Sequence, residues 1–528
     1  MLQACVFNEL RQRGRMGRFG TGLARLCAVA AAETAARMAK HVSRALRETP
    51  TVELRLDWLK NDRERQRLLR WLGKNHRPGG QLIATCRRRI GGGRFAGSAR
   101  TELRWLRLAG EAGCQWCDVE VETLRELPGR SLRGRGLPKV LLSVHDFRRT
   151  PALRGVISQA ACREADAVKV AMRVRSIADS LRLLRFARRS RNTVVVPMGQ
   201  VGLPARLLAL REGSQLAYAP MDGATAPGQV SLHDSKHLYR AQELTRQTRV
   251  FGVIGNPIEH SLSPVLHNSG FMARGIDAVY LPFLVRDLAD FLKAVPELGI
   301  RGFSVTLPHK AAILKHLQEC DALADDIGAV NTVTVRRDGA LYGSNTDYRG
   351  VLEALEKRVR LRGSRVLIFG AGGSARAAAF ALARAGASVS ICARREHAAR
   401  QLARAVGGES LPRRSLASQW FDALLNTTPV GMFPHAAISP LSARELNCRI
   451  VMDLIYRPEE TLLLKLARQK GLATLSGVDM FLAQGIAQWE LWMKRRAPRA
   501  AMRRAVLAAL GKESHGGLSG PPSRVGAE

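Results

Sequence analysis

Long apolar runs are missing from this chain. Its longest uncharged apolar stretches, such as Leu26–Ala32 and Ala377–Ala383, fall far short of the roughly 20 residues a membrane helix needs. A soluble protein with no membrane partner is therefore expected. Aromatic residues are scarce at 5%, too few for a base-stacking platform. Acidic residues are scarce as well: 45 Asp+Glu stand against 83 Lys+Arg, a net charge of +38. Such an excess suits nucleic acid. Here, however, it is arginine dispersed along the whole chain, as at Arg11, Arg88, Arg189, Arg395 and Arg496, with no lysine tract and no single basic helix. Anionic small substrates are the expected partners, with nonspecific attraction to polyanions at low salt. The nine cysteines are odd in number and scattered from Cys5 to Cys448. They fit reduced thiols and a cytoplasmic setting better than disulfides. Cys114-Gln-Trp-Cys117 has no second ligand pair, so it reads as structural and no metal is expected. Residues 1–24 hold one acid, Glu9, and no serine. They lack the composition of a transit segment and are expected to be a disordered extension.

What is present is ordinary globular material, 46% hydrophobic and 24% charged over 528 residues. That length suggests about three or four domains. Eight short apolar runs precede residue 220: Leu26–Ala30, Val52–Leu56, Leu82–Cys86, Cys117–Val121, Val140–Val144, Ala167–Met172, Thr193–Met198 and Leu216–Tyr218. Amphipathic stretches such as Glu33–Leu46, Glu102–Glu111 and Ile177–Ala187 lie between several of them. Eight strand–helix alternations predict a (β/α)8 barrel over 25–243, with an open doubly wound sheet as the alternative. Polar Arg240–Arg249 marks a boundary, after which the α/β pattern restarts at Val250. A domain over 250–360, a Rossmann-type domain over 361–512 and a disordered Gly/Ser/Pro-rich tail over 513–528 complete the reading.

The Rossmann reading rests on Gly370-Ala371-Gly372-Gly373-Ser374-Ala375, which follows apolar Val366–Phe369 and opens an Ala-rich helix, Arg376–Ala385. Gly370 permits the tight turn, Gly372 lets backbone approach a pyrophosphate, and the helix start supplies amides and a positive dipole. The next strand, Ser388–Ala393, ends in Arg394-Arg395 rather than in an acid. Two guanidiniums suit a 2′-phosphate, so NADP is expected over NAD.

Residues 250–512 resemble shikimate dehydrogenase through an ordered motif set. It comprises Gly255-Asn-Pro-Ile-Glu-His-Ser261-Leu-Ser263-Pro, Ser304-Val-Thr306-Leu-Pro-His-Lys310, Gly328-Ala-Val-Asn331-Thr and Gly343-Ser-Asn-Thr-Asp347. After the Gly370 turn come Asn426-Thr427-Thr-Pro-Val-Gly-Met432, Asp453-Leu-Ile-Tyr456 and Gly477-Val-Asp-Met-Phe-Leu-Ala-Gln484. The resemblance implies that Lys310 and Asp347 form the catalytic pair and that Ser261 and Ser263 hold the substrate carboxylate. It further implies that Thr306, Asn331, Tyr456 and Gln484 line the substrate. Asn426, Thr427, Met432 and Gly477 then join the Gly370 turn at the cofactor.

Residues 25–243 resemble type I 3-dehydroquinate dehydratase, a (β/α)8 barrel that uses a Schiff-base lysine. The motifs are Glu53-Leu-Arg55-Leu-Asp57, Thr85-Cys-Arg87, Gly92-Gly93-Arg94-Phe95, Asp118-Val-Glu120, Ser143-Val-His145-Asp146-Phe147, Ala167-Val-Lys169-Val, Gly202-Leu-Pro-Ala-Arg206 and Ala226-Pro-Gly-Gln229-Val. The resemblance implies Lys169 as nucleophile and His145 as general acid and base. Glu53, Arg55, Arg87, Arg206, Thr225 and Gln229 would hold the substrate, with Arg55 or Arg87 as cationic neighbours that free the amine. Thr225 stands where the family often has serine. The family commonly has an acid just ahead of its Gly-Gly pair, close to the catalytic histidine. Here that place is Gly91, so the orienting carboxylate is missing or comes from elsewhere, with Asp118 and Glu120 as candidates.

The two implied chemistries are consecutive: 3-dehydroquinate to 3-dehydroshikimate, then to shikimate with NADPH. The expectation is a bifunctional enzyme acting on small carboxylates. The alternatives are a shikimate or quinate dehydrogenase with an impaired barrel and, from charge alone, a nucleic-acid-binding protein.

Overall fold

A computed structural model describes residues 25–515, apart from 76–79, 128–130, 133–134, 154–163, 191, 222–227 and 434. Thr225 and the extension 1–24 lie outside the described residues. The chain divides into two compact units. One comprises 1–249 with 283–299, the other 250–282 with 300–528.

The first unit is built on eight strands: β1 (Leu26–Ala30), β2 (Thr51–Arg55), β3 (Gln81–Thr85), β4 (Trp116–Glu120), β5 (Lys139–Asp146), β6 (Ala167–Arg173), β7 (Thr193–Met198) and β8 (Ala217–Pro220). They form one sheet in the order β7-β6-β5-β4-β3-β2-β1-β8. Each pair of neighbours from β1 to β7 is parallel, and β1 pairs β8 in parallel. No ladder joins β7 to β8 among the described residues. Gln215 N donates to Thr193 O at 2.8 Å across that seam, so the barrel is nearly closed. Three of the helices between the strands start where the sequence supplies caps. Thr34 caps Ala35–Glu48, Ser98 caps Ala99–Glu111, and Ser176 with Asp179 makes a reciprocal box on Ile177–Arg189. Each cap satisfies amides that would otherwise lack partners.

Side chains alternate across each strand, and that period sets the interior. Cys27, Ile83, Trp116, Leu141, Ala167 and Val194 form a buried apolar cluster. Two residues further along the same strands stand Thr85, Asp118, Ser143 and Lys169. Two further again stand Arg87, Glu120 and His145. The barrel thus rises from an apolar floor to charged groups at the C-terminal strand ends, where barrel sites are built.

The second unit has two sheets. The first holds β9 (Arg249–Gly255), β10 (Ala278–Leu284), β11 (Ile300–Val305), β12 (Glu319–Cys320), β13 (Thr332–Val335) and β14 (Leu341–Ser344), in the order β10-β9-β11-β13-β14-β12. The second holds β15 (Arg365–Phe369), β16 (Ser388–Cys392), β17 (Glu409–Ser410), β18 (Phe421–Asn426), β19 (Cys448–Asp453) and β20 (Ala473–Leu475). Its order, β17-β16-β15-β18-β19-β20, is fully parallel. The chain reverses direction across the sheet at β15/β18, the switch point where an open α/β sheet binds ligands. The last helix, Arg499–His515, runs into the segment expected to be a disordered tail from 513, since Lys512 and Glu513 are good helix formers. Residues 516–528 lie outside the described set.

Candidate active sites

Lys169 lies inside the barrel. Its Nζ donates to Asp118 Oδ2 at 2.5 Å, stands 3.9 Å from Glu53 Oε1, and sits 4.6 Å from the centre of the Tyr218 ring. The charges nearest the amine are therefore carboxylates, which corrects the expectation of cationic neighbours. Arg55 is turned away to Asp57, in a two-pronged pair at 2.9 and 2.8 Å. Arg87 approaches only by way of Asp118, at 3.4 Å. Period two explains the arrangement: β4 presents Trp116, Asp118 and Glu120 to one side, so two acids enter the interior together. Burial opposes ionisation of Asp118, yet the Lys169 and Arg87 charges hold its carboxyl well below the usual range. Asp118 Oδ1, Ser143 Oγ and Tyr218 OH are buried with no hydrogen-bond partner among the described residues. Buried polar atoms normally have partners. Three such atoms beside one amine are what a polar ligand would satisfy.

Arg206 is 7% exposed, and its Nε and Nη2 donate to Pro197 O at 3.2 and 3.1 Å. Among the described residues no carboxylate pairs with it, and burial brings its pKa down to about 10. A buried guanidinium without a counter-charge is a seat for an anion. Glu53 accepts from Thr85 Oγ1 at 2.7 Å. Gln229 lies two residues after the undescribed 222–227 segment.

In the second unit, Lys310 Nζ donates to Asp347 Oδ2 at 2.5 Å and to Ser374 Oγ at 3.3 Å. Asn331 Nδ2 donates to the other Asp347 oxygen at 2.7 Å, and Asn331 Oδ1 accepts from Thr346 N at 2.8 Å. Lys310, Asp347, Asn331 and Ser374 are thus one cluster. Sheet order explains it: Val305 N donates to Asn331 O and Thr306 N to Ile254 O. The ends of β9 and β11 and the start of β13 therefore share one edge. A Cβ on Gly255 would meet Thr306 Cγ2 at 2.5 Å, so that motif glycine admits Thr306. Ser263 N donates to Ser261 Oγ at 3.3 Å, at the start of helix Ser263–Ala273. Gln484 lies one turn before Gln488 on helix Gly477–Met493, and Gln488 donates to Asn331 O and Thr332 Oγ1 at 3.1 and 3.0 Å. Tyr456 stacks on Phe481 with ring centres 4.5 Å apart. Gly477 starts the same helix, and a Cβ there would strike Leu454 O.

The Gly-rich turn fits a dinucleotide. Gly370 has φ +127, and a Cβ on it would meet Thr427 Oγ1 at 2.3 Å, whereas nothing lies within 4 Å of a Cβ on Gly372. Helix Gly373–Arg384, which holds Ser374 and Ala375, begins without a side-chain cap, leaving its first amides to a phosphate. Arg394 and Arg395 are exposed after β16, ahead of helix Glu396–Ala405. Asn426 contributes differently from expectation. Its amide is committed to Asp453 (3.0 Å), Val430 O (3.4 Å) and the Thr428 hydroxyl (2.7 Å). It shapes the loop carrying Thr427 and the 40%-exposed Met432.

Family comparison agrees with both halves. Residues 26–246 match the type I 3-dehydroquinase family. Residues 253–333 match the shikimate dehydrogenase substrate binding domain, and 477–507 the shikimate 5'-dehydrogenase C-terminal domain. A chloroplastic bifunctional 3-dehydroquinate dehydratase/shikimate dehydrogenase of Arabidopsis thaliana is 34% identical over 502 residues, 90% of this chain and 83% of that protein. The chain belongs to the bifunctional 3-dehydroquinate dehydratase/shikimate dehydrogenase family. A shikimate dehydrogenase (NADP(+)) of Methanothermobacter thermautotrophicus is 40% identical over 285 residues, covering 51% of this chain and all of its own. A Thermus thermophilus shikimate 5-dehydrogenase solved with NADP(H) and shikimate is 36% identical. It covers 49% of this chain and 99% of its own, with a TM-score of 0.46.

Against that family frame the departure at Gly91 has a structural answer. The carboxylate beside His145 is Glu120, whose Oε2 lies 2.9 Å from Nδ1 and whose Oε1 accepts from Arg87 Nε at 2.6 Å. Asp118 is not that partner, being held by Lys169. Burial, with the Arg87 charge adding to it, keeps the imidazole below its ordinary pKa despite Glu120, so the ring is neutral at neutral pH. The sequence held no pointer to Tyr218, and offered Asp118 and Glu120 only as alternative orienting carboxylates for His145. The usable signal was alternation, since Asp118 and Glu120 stand two and four places after Trp116 on one strand. A buried chain behind Asn331 had no signal at all: Tyr280 OH to Ser304 Oγ at 2.6 Å, then Ser304 Oγ to Gln488 Oε1 at 2.8 Å.

Proposed function

We propose that this chain dehydrates 3-dehydroquinate to 3-dehydroshikimate in its barrel and reduces that product to shikimate with NADPH in its second half. The observation that carries the reading is a lysine–carboxylate pair in each unit, both at 2.5 Å: Lys169–Asp118, buried, and Lys310–Asp347, in which Lys310 is half-buried.

In the barrel, Lys169 condenses with the substrate ketone and water leaves, giving an iminium. The iminium draws electrons, so the neighbouring carbon loses a proton to His145 and an enamine forms. The enamine electrons then restore the iminium as the β-hydroxyl departs, taking its proton from His145. Hydrolysis frees the product and Lys169. Arg206, buried and without a carboxylate partner among the described residues, holds the substrate carboxylate. In the second half, bound NADPH supplies the hydride. Lys310, held by Asp347, orients the ketone and donates the proton that turns the forming alkoxide into a hydroxyl. Asn331 fixes Asp347, and Ser261 and Ser263 take the carboxylate. The exposed Arg394 and Arg395 after β16 support a 2′-phosphate and hence NADP. The seven described cysteines are all free thiols, which supports a reducing, cytoplasmic setting. No helix of the described residues is long and apolar enough to cross a membrane.

A single progress curve tests the whole reading. The chain is mixed with 3-dehydroquinate and NADPH, and NADPH absorbance is followed. Loss of absorbance is expected, because reduction can begin only after dehydration. If absorbance falls only when 3-dehydroshikimate is supplied, the dehydratase half of the reading is wrong.

A further inference from the structure

Resting on that reading of the barrel, we propose that Tyr218 is a further catalytic residue of the dehydratase, its ring face forming one wall of a pocket that fits Lys169 Nζ as an iminium better than as a free ammonium.

Tyr218 enters the barrel at the level of its floor. On β8 it pairs in register with Cys27, a member of the buried apolar cluster, and its ring packs against that cluster. Lys169 stands one layer higher, two residues beyond Ala167 on β6. Its amine lies over the ring, 4.6 Å from the ring centre. A cation within about 6 Å of an aromatic centre is attracted by the negative π-face, more strongly where water is excluded, and Lys169 is buried. Burial, with Glu53 adding to it, pushes the Tyr218 phenol far above its ordinary pKa. The ring is therefore neutral and acts through its face.

The remaining neighbours decide which cation fits. A lysine ammonium carries three N–H donors. Among the described residues, Asp118 Oδ2 at 2.5 Å is the one acceptor within hydrogen-bond distance. Glu53 Oε1 stands 3.9 Å away and already accepts from Thr85 Oγ1, so it supplies charge without a hydrogen bond. The ammonium is left with donors that the pocket does not satisfy, which is costly in a buried site. Condensation removes the deficit. Two of the nitrogen's hydrogens leave with the ketone oxygen as water, and the nitrogen forms a double bond to the substrate carbon. The iminium keeps a single N–H, which Asp118 accepts, and its charge stays between the two carboxylates and the Tyr218 face. The pocket thus favours the covalent state over the resting one and raises the level of the species from which the proton is lost.

The test separates imine formation from simple binding. Imine is read by borohydride trapping with 3-dehydroshikimate. Simple binding is read from inhibition of dehydration by quinate, an alcohol that cannot condense. Tyr218→Leu is expected to raise the 3-dehydroshikimate concentration for half-maximal trapping about ten-fold and to lower kcat/KM for dehydration by a similar factor. Water entering the vacated space serves the ammonium and does nothing for the iminium. The inhibition constant of quinate should stay within about two-fold of the parent's. Tyr218→Phe keeps the face and should stay within about three-fold in every readout. Tyr218→Met carries the leucine expectation if the leucine variant does not fold. Trapping and turnover like the parent's in the leucine or methionine variant would overturn the proposal. So would a loss of quinate binding as large as the loss of imine, which would make the ring a wall only. A phenylalanine variant as impaired as the leucine one would overturn it too, by placing the effect in the hydroxyl. An unsubstituted chain that neither traps nor dehydrates would instead overturn the functional reading on which this rests.

Discussion

Asp453 is the residue whose environment makes the plainest pH prediction. It is fully buried at the end of β19, accepting from Thr461 Oγ1 at 2.7 Å, Asn426 Nδ2 at 3.0 Å and Ile455 N at 3.1 Å. Burial outweighs those three bonds and pushes its pKa up to about 6. In the unfolded chain it titrates near 3.9. Between these values the fold retains a proton that the unfolded chain has released. Stability therefore falls as pH rises through that window, by up to about 3 kcal/mol. Asp453→Asn keeps the acceptor for Asn426 and Ile455 and removes the titration. Its stability relative to the parent should rise between pH 4.5 and 7, as read from urea midpoints. A constant difference at both pH values would show that Asp453 is ionised throughout. At this scale the sequence made Lys169, His145, Lys310 and Asp347 candidates, because each sits in a short motif. Glu120 was legible only as one of two candidates. The chain Tyr280–Ser304–Gln488 was not legible, because it joins residues up to 184 positions apart with no local pattern.

At the scale of elements, the eight barrel strands were readable because each carries a compact apolar run and the helices between them carry a period of 3.6. Boundaries moved by a residue or two, as with β2 at Thr51–Arg55 against the expected Val52–Leu56. The weak β7–β8 seam could not be read, since registry between strands that distant in sequence is set by tertiary packing. The Gly-rich turn after β15 separates two roles that the sequence presents as one motif. Gly370 needs its positive φ and has Thr427 pressed against it, whereas Gly372 has open space. Gly370→Ala is expected to destabilise the fold by about 1–3 kcal/mol. Gly372→Val should leave the unfolding midpoint unchanged and raise the KM for NADPH at least ten-fold, because the branched side chain fills the approach to the helix N-terminus. Thermal unfolding and steady-state kinetics on the two variants check both. Equal effects on both readouts would mean that the turn is structural only.

For the whole molecule, the dominant fact is the net charge of +38. Both proposed substrates and the cofactor are anions, so the field raises their local concentration at either site. Salt shortens the reach of that field, from about 10 Å at 0.1 M to about 3 Å at 1 M. KM for NADPH should rise several-fold between about 0.05 and 0.5 M salt while kcat stays nearly constant. A flat KM across that range would mean that the dispersed arginines do no steering.

The contact between Lys310 and Ser374 couples the two ligands of the second half. Ser374 belongs to the Gly-rich turn proposed to receive the cofactor phosphates, yet its hydroxyl also accepts from Lys310 Nζ at 3.3 Å, and a Cβ on neighbouring Gly373 would already touch the Lys310 stem at 3.3 Å. The two ligands of this half therefore share one lever arm. Whatever cofactor docking does to Ser374 alters the seat offered to the ketone, and by reciprocity the ketone alters the cofactor's affinity by the same factor. Such a site reads its two ligands as a conjunction rather than as a sum.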